Sequence, residues 1–141
     1  MAQRCVGMAE RLLAMMTEYA NQRKTFGKFL SERQVVQWWV ANSAIDIHAT
    51  RLMSYHAAWR MDNGVKDVRR EAAMLKIFGT EMAMKVADRA IQLHGAMGLT
   101  KDLPIELMYR NIRAMRIIEG PSEIHRWTIA RDILRKKAMI K

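Results

Sequence analysis

The 141-residue sequence has one cysteine, two prolines and seven glycines. The lone Cys5 excludes an internal disulfide and suits a reducing compartment. So little Pro and Gly leaves few turns for an all-β fold. No apolar run approaches the roughly 20 residues of a membrane-spanning helix. The first residues lack the basic segment and apolar core of a secretory signal. Acidic residues are also scarce, 14 against 24 Lys and Arg, for a net charge of +10. The cations are scattered along every segment, which suits a solvated outer face rather than the stripe of a nucleic-acid binder. His48, His56, His94 and His125 form no metal-ligand spacing with one another or with Cys5. No Glu is followed three residues later by His, so the di-iron bundle pattern is absent too. There is no Gly-x-Ser-x-Gly turn to carry a nucleophile.

Half of the residues are hydrophobic, and 13 are Met, so a packed helical domain is favoured over disorder. Residues 1 to about 21 read as a helix, with Val6, Leu12, Leu13, Met16 and Tyr19 on one face. Residues 22–30 have no period and read as a loop. Ser31 and Gln34 have the spacing of a capping box before a long helix that ends near Asp62, at Asn63-Gly64. The adjacent Trp38 and Trp39 cannot share one face centre, so this helix is buried on two sides or offers one Trp to an oligomer interface. Asp67 can cap a third helix over 68–93, where small residues (Ala72, Ala73, Gly79, Ala83, Ala87 and Ala90) are frequent. Pro104 can open a fourth. A fifth runs from Ser122 to about Lys137, where Arg135, Lys136 and Lys137 suit the negative end of a helix dipole. The fold class is all-α, a bundle of four or five helices in a single domain over 1–141.

Three turns between these helices could carry chemistry. Arg23-Lys24-Thr25-Phe26-Gly27 sets cations, a hydroxyl and an aromatic beside a flexible Gly, which suits a pyrophosphate and a ring or an ordinary basic loop. Gln92 to Gly98 exposes backbone amides at a helix end, for a ligand or as a plain C-cap, with His94 as polar filler. Glu119 follows Ile117-Ile118 and precedes Gly120-Pro121, with Pro121 suited to the first helical position. A carboxylate held against apolar surface resists ionisation and can act as a general base near neutral pH, whereas an open turn leaves it a solvated glutamate.

Together the segments 19–28 (Tyr-Ala-x-Gln-Arg-Lys-Thr-Phe-Gly-Lys), 90–98 (Ala-Ile-Gln-Leu-His-Gly-Ala-Met-Gly), 108–113 and 117–125 resemble the C-terminal helical domain of the flavin-dependent acyl-CoA dehydrogenases. The resemblance implies that Glu119 abstracts the α-proton of an acyl-CoA thioester while the β-hydrogen leaves as hydride to FAD. It implies that Gly120 lies against the substrate. Arg23, Thr25 and Phe26 would contact the FAD of a neighbouring subunit, Gln34, Gln92, Leu93, Gly95 and Ala96 would hold its adenosine half, and Pro121 and Glu123 would touch FAD. It further implies an electron-transfer flavoprotein as acceptor, a homodimer or homotetramer, and a role such as fatty acid β-oxidation. The setting would be cytoplasmic in a bacterium and mitochondrial or peroxisomal in a eukaryote. Family enzymes are nearly three times as long, so the chain is expected to be a fragment and inactive alone. The motif departs from Glu-Gly-Thr-x-Gln at Pro121 and Glu123, from Gly-Gly at Ala96, and from a common Asp at Asn111. An acyl-CoA oxidase-like enzyme and a non-catalytic helical assembly module are the alternatives.

Overall fold

The computed structural model describes residues 1–135 of the chain. Five α-helices carry the fold: α1 (Ala2–Gln22), α2 (Gln34–Asp62), α3 (Arg69–His94), α4 (Ile105–Met115) and α5 (Ser122–Leu134). Helix α3 is the central element and packs against the other four. Its sequence explains why. Ala83, Ala87 and Ala90 are all fully buried and recur at helical spacing, so neighbouring backbones approach closely along one face. The facing α1 contributes Cys5, Val6, Ala9, Leu12 and Met16, and α4 contributes Ile105, Ile112 and Met115. Burying a side chain the size of Leu12 or Ile112 stabilises by about 1.5–3 kcal/mol.

The segment over 22–30, read from the sequence as a loop, holds a small antiparallel hairpin. Its strands are β1 (Lys24–Thr25) and β2 (Lys28–Phe29), with Lys24 opposite Phe29 and Thr25 opposite Lys28. Phe26 and Gly27 form its two-residue turn, both at positive φ (50° and 78°), as a type I′ turn requires. The cap of α2 is also displaced. Ser31 lies in a 3₁₀ turn (Leu30–Glu32), Arg33 is the N-cap residue and Gln34 is the first helical residue. A reach-back does occur, two residues earlier: the Glu32 carboxylate accepts the Phe29 N–H at 2.6 Å. Val68 is the N-cap residue of α3, and Asp67 accepts the Arg69 N–H at 3.2 Å. Pro121 likewise precedes α5 as its N-cap residue rather than opening it. Lys136 and Lys137 lie outside the described residues.

The two tryptophans divide their roles. Trp39 packs against the core, whereas Trp38 is 59% exposed. Trp38, Ile45, Leu52 and Trp59, all at least half exposed, recur every seven residues and draw an uncovered apolar stripe along α2. Among the described residues no helix is long and apolar enough to cross a membrane, and no group of His, Cys, Asp or Glu is placed to hold a metal ion.

Candidate functional site

Helix α4 ends at Met115, and the chain must reverse before α5. The Ile117 and Ile118 amides both donate to the Ala114 carbonyl (2.9 and 3.1 Å), and the Ser122 amide donates to the Arg116 carbonyl (3.2 Å). Closing the turn this tightly puts Glu119 at φ 55° and Gly120 at φ 93°. Gly120 tolerates that region. For glutamate, the left-handed conformation costs roughly 1–2 kcal/mol. A strained residue at a turn is held by its surroundings, and here the restraints are visible.

Two side chains grip the turn. Lys76 of α3 donates through Nζ to the Ile118 carbonyl (2.8 Å) and the Gly120 carbonyl (2.9 Å). His125 of α5 lies within hydrogen-bond distance of the Glu119 carbonyl, 3.2 Å from Nε2. Its ring also covers Gly120, where an added Cβ would sit 3.1 Å from Nε2. Glu81 steadies the frame by pairing with Arg116 before the turn (3.4 Å) and Arg126 after it (2.6 Å). Burial pushes the Lys76 ammonium below its ordinary value, while the charges of Glu119 and then Cys5 pull it back up. Burial also raises the Cys5 thiol, against the lowering influence of nearby positive charge.

Glu119 lines a cleft of about 370 Å³ between the start of α1, the middle of α2 and the first half of α3. Gln3, Ser54, Leu75, Lys76 and His125 are among its walls, and Gln3 Nε2 donates to Ser54 Oγ across it at 2.8 Å. The apolar neighbours expected for Glu119 are present but open: Ile117 is 58% exposed and Ile118 is 47% exposed.

Most of the other sequence-predicted residues gather at the far end of α1, roughly 30 Å away by helix rise. There the Arg23 amide donates to the Tyr19 carbonyl (2.9 Å) as the chain leaves α1. The Arg33 guanidinium donates to the Thr25 carbonyl (2.5 Å), and Gln34 follows on the exposed first turn of α2. Phe26 stands at the hairpin tip, 99% exposed, an apolar ring with almost no intrachain cover. The Gln92–Ala96 segment reaches the same end, because the ring of buried His94 stacks on Tyr19 at 4.4 Å. His94 also hydrogen-bonds through Nδ1 to the Ala90 carbonyl (2.8 Å), in keeping with a polar filler. Gln92 and Ala96 are exposed, and Gly95 turns at φ 61° with open space above it. Leu93 is core, so only its backbone is left for a ligand. Pro121 and Glu123, by contrast, lie exposed on the Glu119 side. The chain therefore brings its special turns into two clusters at opposite ends of the bundle and does not join them.

Sequence reasoning missed Lys76, Glu81 and His125 as supports of the turn. Lys76 left a signal: it falls between the buried positions Ala73, Gly79, Thr80 and Ala83 on the apolar face of α3, where a cation requires a reason.

The fold and its acidic turn define a helical-bundle domain with a glutamate lining a cleft. The acyl-CoA dehydrogenase C-terminal domain family matches residues 1–134, and the chain belongs to that family. It is 54% identical over 134 residues to (R)-benzylsuccinyl-CoA dehydrogenase of Thauera aromatica, covering 95% of this chain and 33% of that protein. Among solved structures it resembles butyryl-CoA dehydrogenase from Megasphaera elsdenii, with a TM-score of 0.89, 31% identity, and coverage of 95% of this chain and 35% of that one. It also resembles the FAD complex of PigA, with a TM-score of 0.88, 31% identity, and coverage of 94% and 34%. The chain spans about one third of the length of each of these proteins.

Proposed function

We propose that this chain is the catalytic C-terminal domain of an FAD-dependent acyl-CoA dehydrogenase, with Glu119 as the base that removes the α-proton of an acyl-CoA thioester. The observation that carries the reading is the Glu119 turn: a strained glutamate, restrained on both sides, that lines the cleft between α1, α2 and α3. A base must be preorganised against the proton it takes, and two hydrogen bonds to the flanking carbonyls supply that rigidity. The Cβ that Gly120 lacks would meet the His125 ring, so glycine lets that ring close over the turn beside Glu119.

The far cluster fits a flavin dinucleotide by the chemistry of its donors. The exposed guanidinium of Arg23 suits a pyrophosphate, the Thr25 hydroxyl a polar edge, and the bare Phe26 ring an aromatic partner. Gln34, Gln92, Gly95 and Ala96 offer an exposed amide and backbone surface for the adenosine half. FAD held there would supply a two-electron acceptor for the β-hydrogen, so that loss of the α-proton to Glu119 would leave a trans-2-enoyl-CoA. The separation of the two clusters supports a site shared between subunits: the hairpin of one copy serves the cofactor beside Glu119 of another. A homodimer or homotetramer follows from this reading, with an electron-transfer flavoprotein as acceptor. The compartment would be cytoplasmic in a bacterium and mitochondrial or peroxisomal in a eukaryote.

A second reading, an assembly module without turnover, is favoured by the α2 stripe of Trp38, Ile45, Leu52 and Trp59. Substrate-dependent flavin reduction by the flavin-loaded enzyme containing this chain separates the two. The dehydrogenase reading expects reduction that Glu119→Gln removes, and the assembly reading expects none in either form. Reoxidation by an electron-transfer flavoprotein rather than by oxygen separates a dehydrogenase from an acyl-CoA oxidase.

A further inference from the structure

Lys76 is 7% exposed, on the face of α3 that packs inside the bundle. Its two hydrogen bonds go to main-chain carbonyls rather than to a carboxylate. Burying an ammonium costs several kcal/mol unless hydrogen bonds and charge offset it, and a leucine or methionine would fill such a site more cheaply. Structural packing alone therefore does not account for it. The two carbonyls it holds belong to Ile118 and Gly120, the residues on either side of Glu119. Tying both carbonyls to one ammonium fixes how the peptide groups on either side of Glu119 face each other and so restricts the torsions between them, which set Glu119 at φ 55° and Gly120 at φ 93°. The attraction between the Lys76 ammonium and the Glu119 carboxylate acts in the same direction, and both residues line one cleft.

We propose that Lys76 is a positioning residue that clamps the Ile118 and Gly120 carbonyls and so holds Glu119 in its left-handed conformation with the carboxylate presented to the cleft. This rests on the reading of Glu119 as the base. His125, which approaches the intervening carbonyl from α5, steadies the turn from the other side but spans only one peptide group. Lys76 spans both. The clamp thus lies on α3, the element that contacts every other helix, and ties the geometry of the turn to the core.

The test uses Lys76→Met, an unbranched side chain one atom shorter that loses the donors, and Lys76→Arg, which restores donors. In the flavin-loaded enzyme, Lys76→Met is expected to lower kcat on the order of 10²-fold, the effect of misplacing a reacting group by about 1 Å. KM for the acyl-CoA and flavin content stay unchanged, and Lys76→Arg recovers part of kcat. Amide hydrogen exchange gives a readout independent of turnover. The Ile117, Ile118 and Ser122 amides, which close the turn, are expected to exchange about tenfold faster or more, the equivalent of one hydrogen bond to a charged group. Core amides of α1 and α3 stay slow. If Lys76→Met fails to fold, Lys76→Gln, which keeps a shorter neutral donor, is read by the same two measurements. Unchanged kcat with unchanged exchange at the turn would overturn the clamp. So would a uniform rise in exchange throughout the bundle, which marks a purely structural role. Glu119→Gln separates this failure from failure of the underlying reading. If that variant turns over normally, the base assignment falls and the clamp's catalytic role with it. If it is inactive while Lys76→Met is normal in both readouts, only the clamp falls.

Discussion

Gly98 and Gly7 should respond to the same added methyl with opposite signs. Gly98 is buried in the 3₁₀ turn after α3, and a Cβ there would sit 2.9 Å from both the Cα and the carbonyl oxygen of Ile91. Those are backbone atoms of a packed helix and cannot swing aside, so the turn or the end of α3 must shift. Overpacking of this kind costs about 1–3 kcal/mol. Gly7 lies in the exposed interior of α1, and a Cβ there meets nothing within 4 Å. Alanine at this position is expected to stabilise by about 0.5–1 kcal/mol, because glycine loses more backbone freedom when the helix forms. With an m-value of about 2 kcal/mol/M, Gly98→Ala lowers the urea midpoint by roughly 0.5–1.5 M, and Gly7→Ala raises it by roughly 0.2–0.5 M. The assay is equilibrium unfolding followed by far-ultraviolet circular dichroism, with the slopes compared to check that compactness is unchanged. Coincident midpoints for Gly98→Ala and the parent, or a destabilised Gly7→Ala, would refute the close packing assigned to the turn and the openness assigned to α1.

Burial raises the Cys5 thiol, so the folded chain holds its proton to higher pH than the unfolded chain does. That contribution is fully present below pH 9.0 and is lost as pH rises from there through the folded value. Cys5→Ala is therefore expected to flatten this part of the alkaline decline in stability measured by denaturant titrations between pH 8 and 11; an unaltered slope would count against it. Arg23→Ala should weaken FAD retention without altering the helical spectrum, read as the flavin-to-protein ratio after gel filtration of the loaded enzyme. An unchanged ratio would remove the hairpin from the cofactor site.

Much of the architecture was legible because the helices are long and carry their apolar residues on one face. The stops at Asn63-Gly64 and at the paired glycines after Leu93 were readable for the same reason, since only a few residue types end a helix this way. The hairpin was not, because strands of two residues are too short to show alternation. The N-cap of α2 lies two residues beyond Ser31 because the carboxylate of Glu32 is spent on the preceding 3₁₀ turn, which takes Ser31 out of the capping position. The candidate base at Glu119 stood out from its neighbours Gly120 and Pro121. Its left-handed conformation did not, since Gly120 is the residue that sequence alone would assign the positive φ. Lys76 and Glu81 reach the turn from 35 or more positions away, and that proximity comes only from the packing of α3 against α4 and α5. The separation of the hairpin from Glu119 is tertiary information in the same sense.

Glu119 as the base is tested most directly by the rate of flavin reduction on adding an acyl-CoA to the flavin-loaded enzyme, compared between the parent and Glu119→Gln with the FAD content of each measured alongside. The expected result is a rate lower by about 10²–10⁴-fold, the usual range for loss of a positioned general base, with FAD per chain unchanged. Reduction at the parental rate, or a slower rate explained by lost FAD, would contradict it.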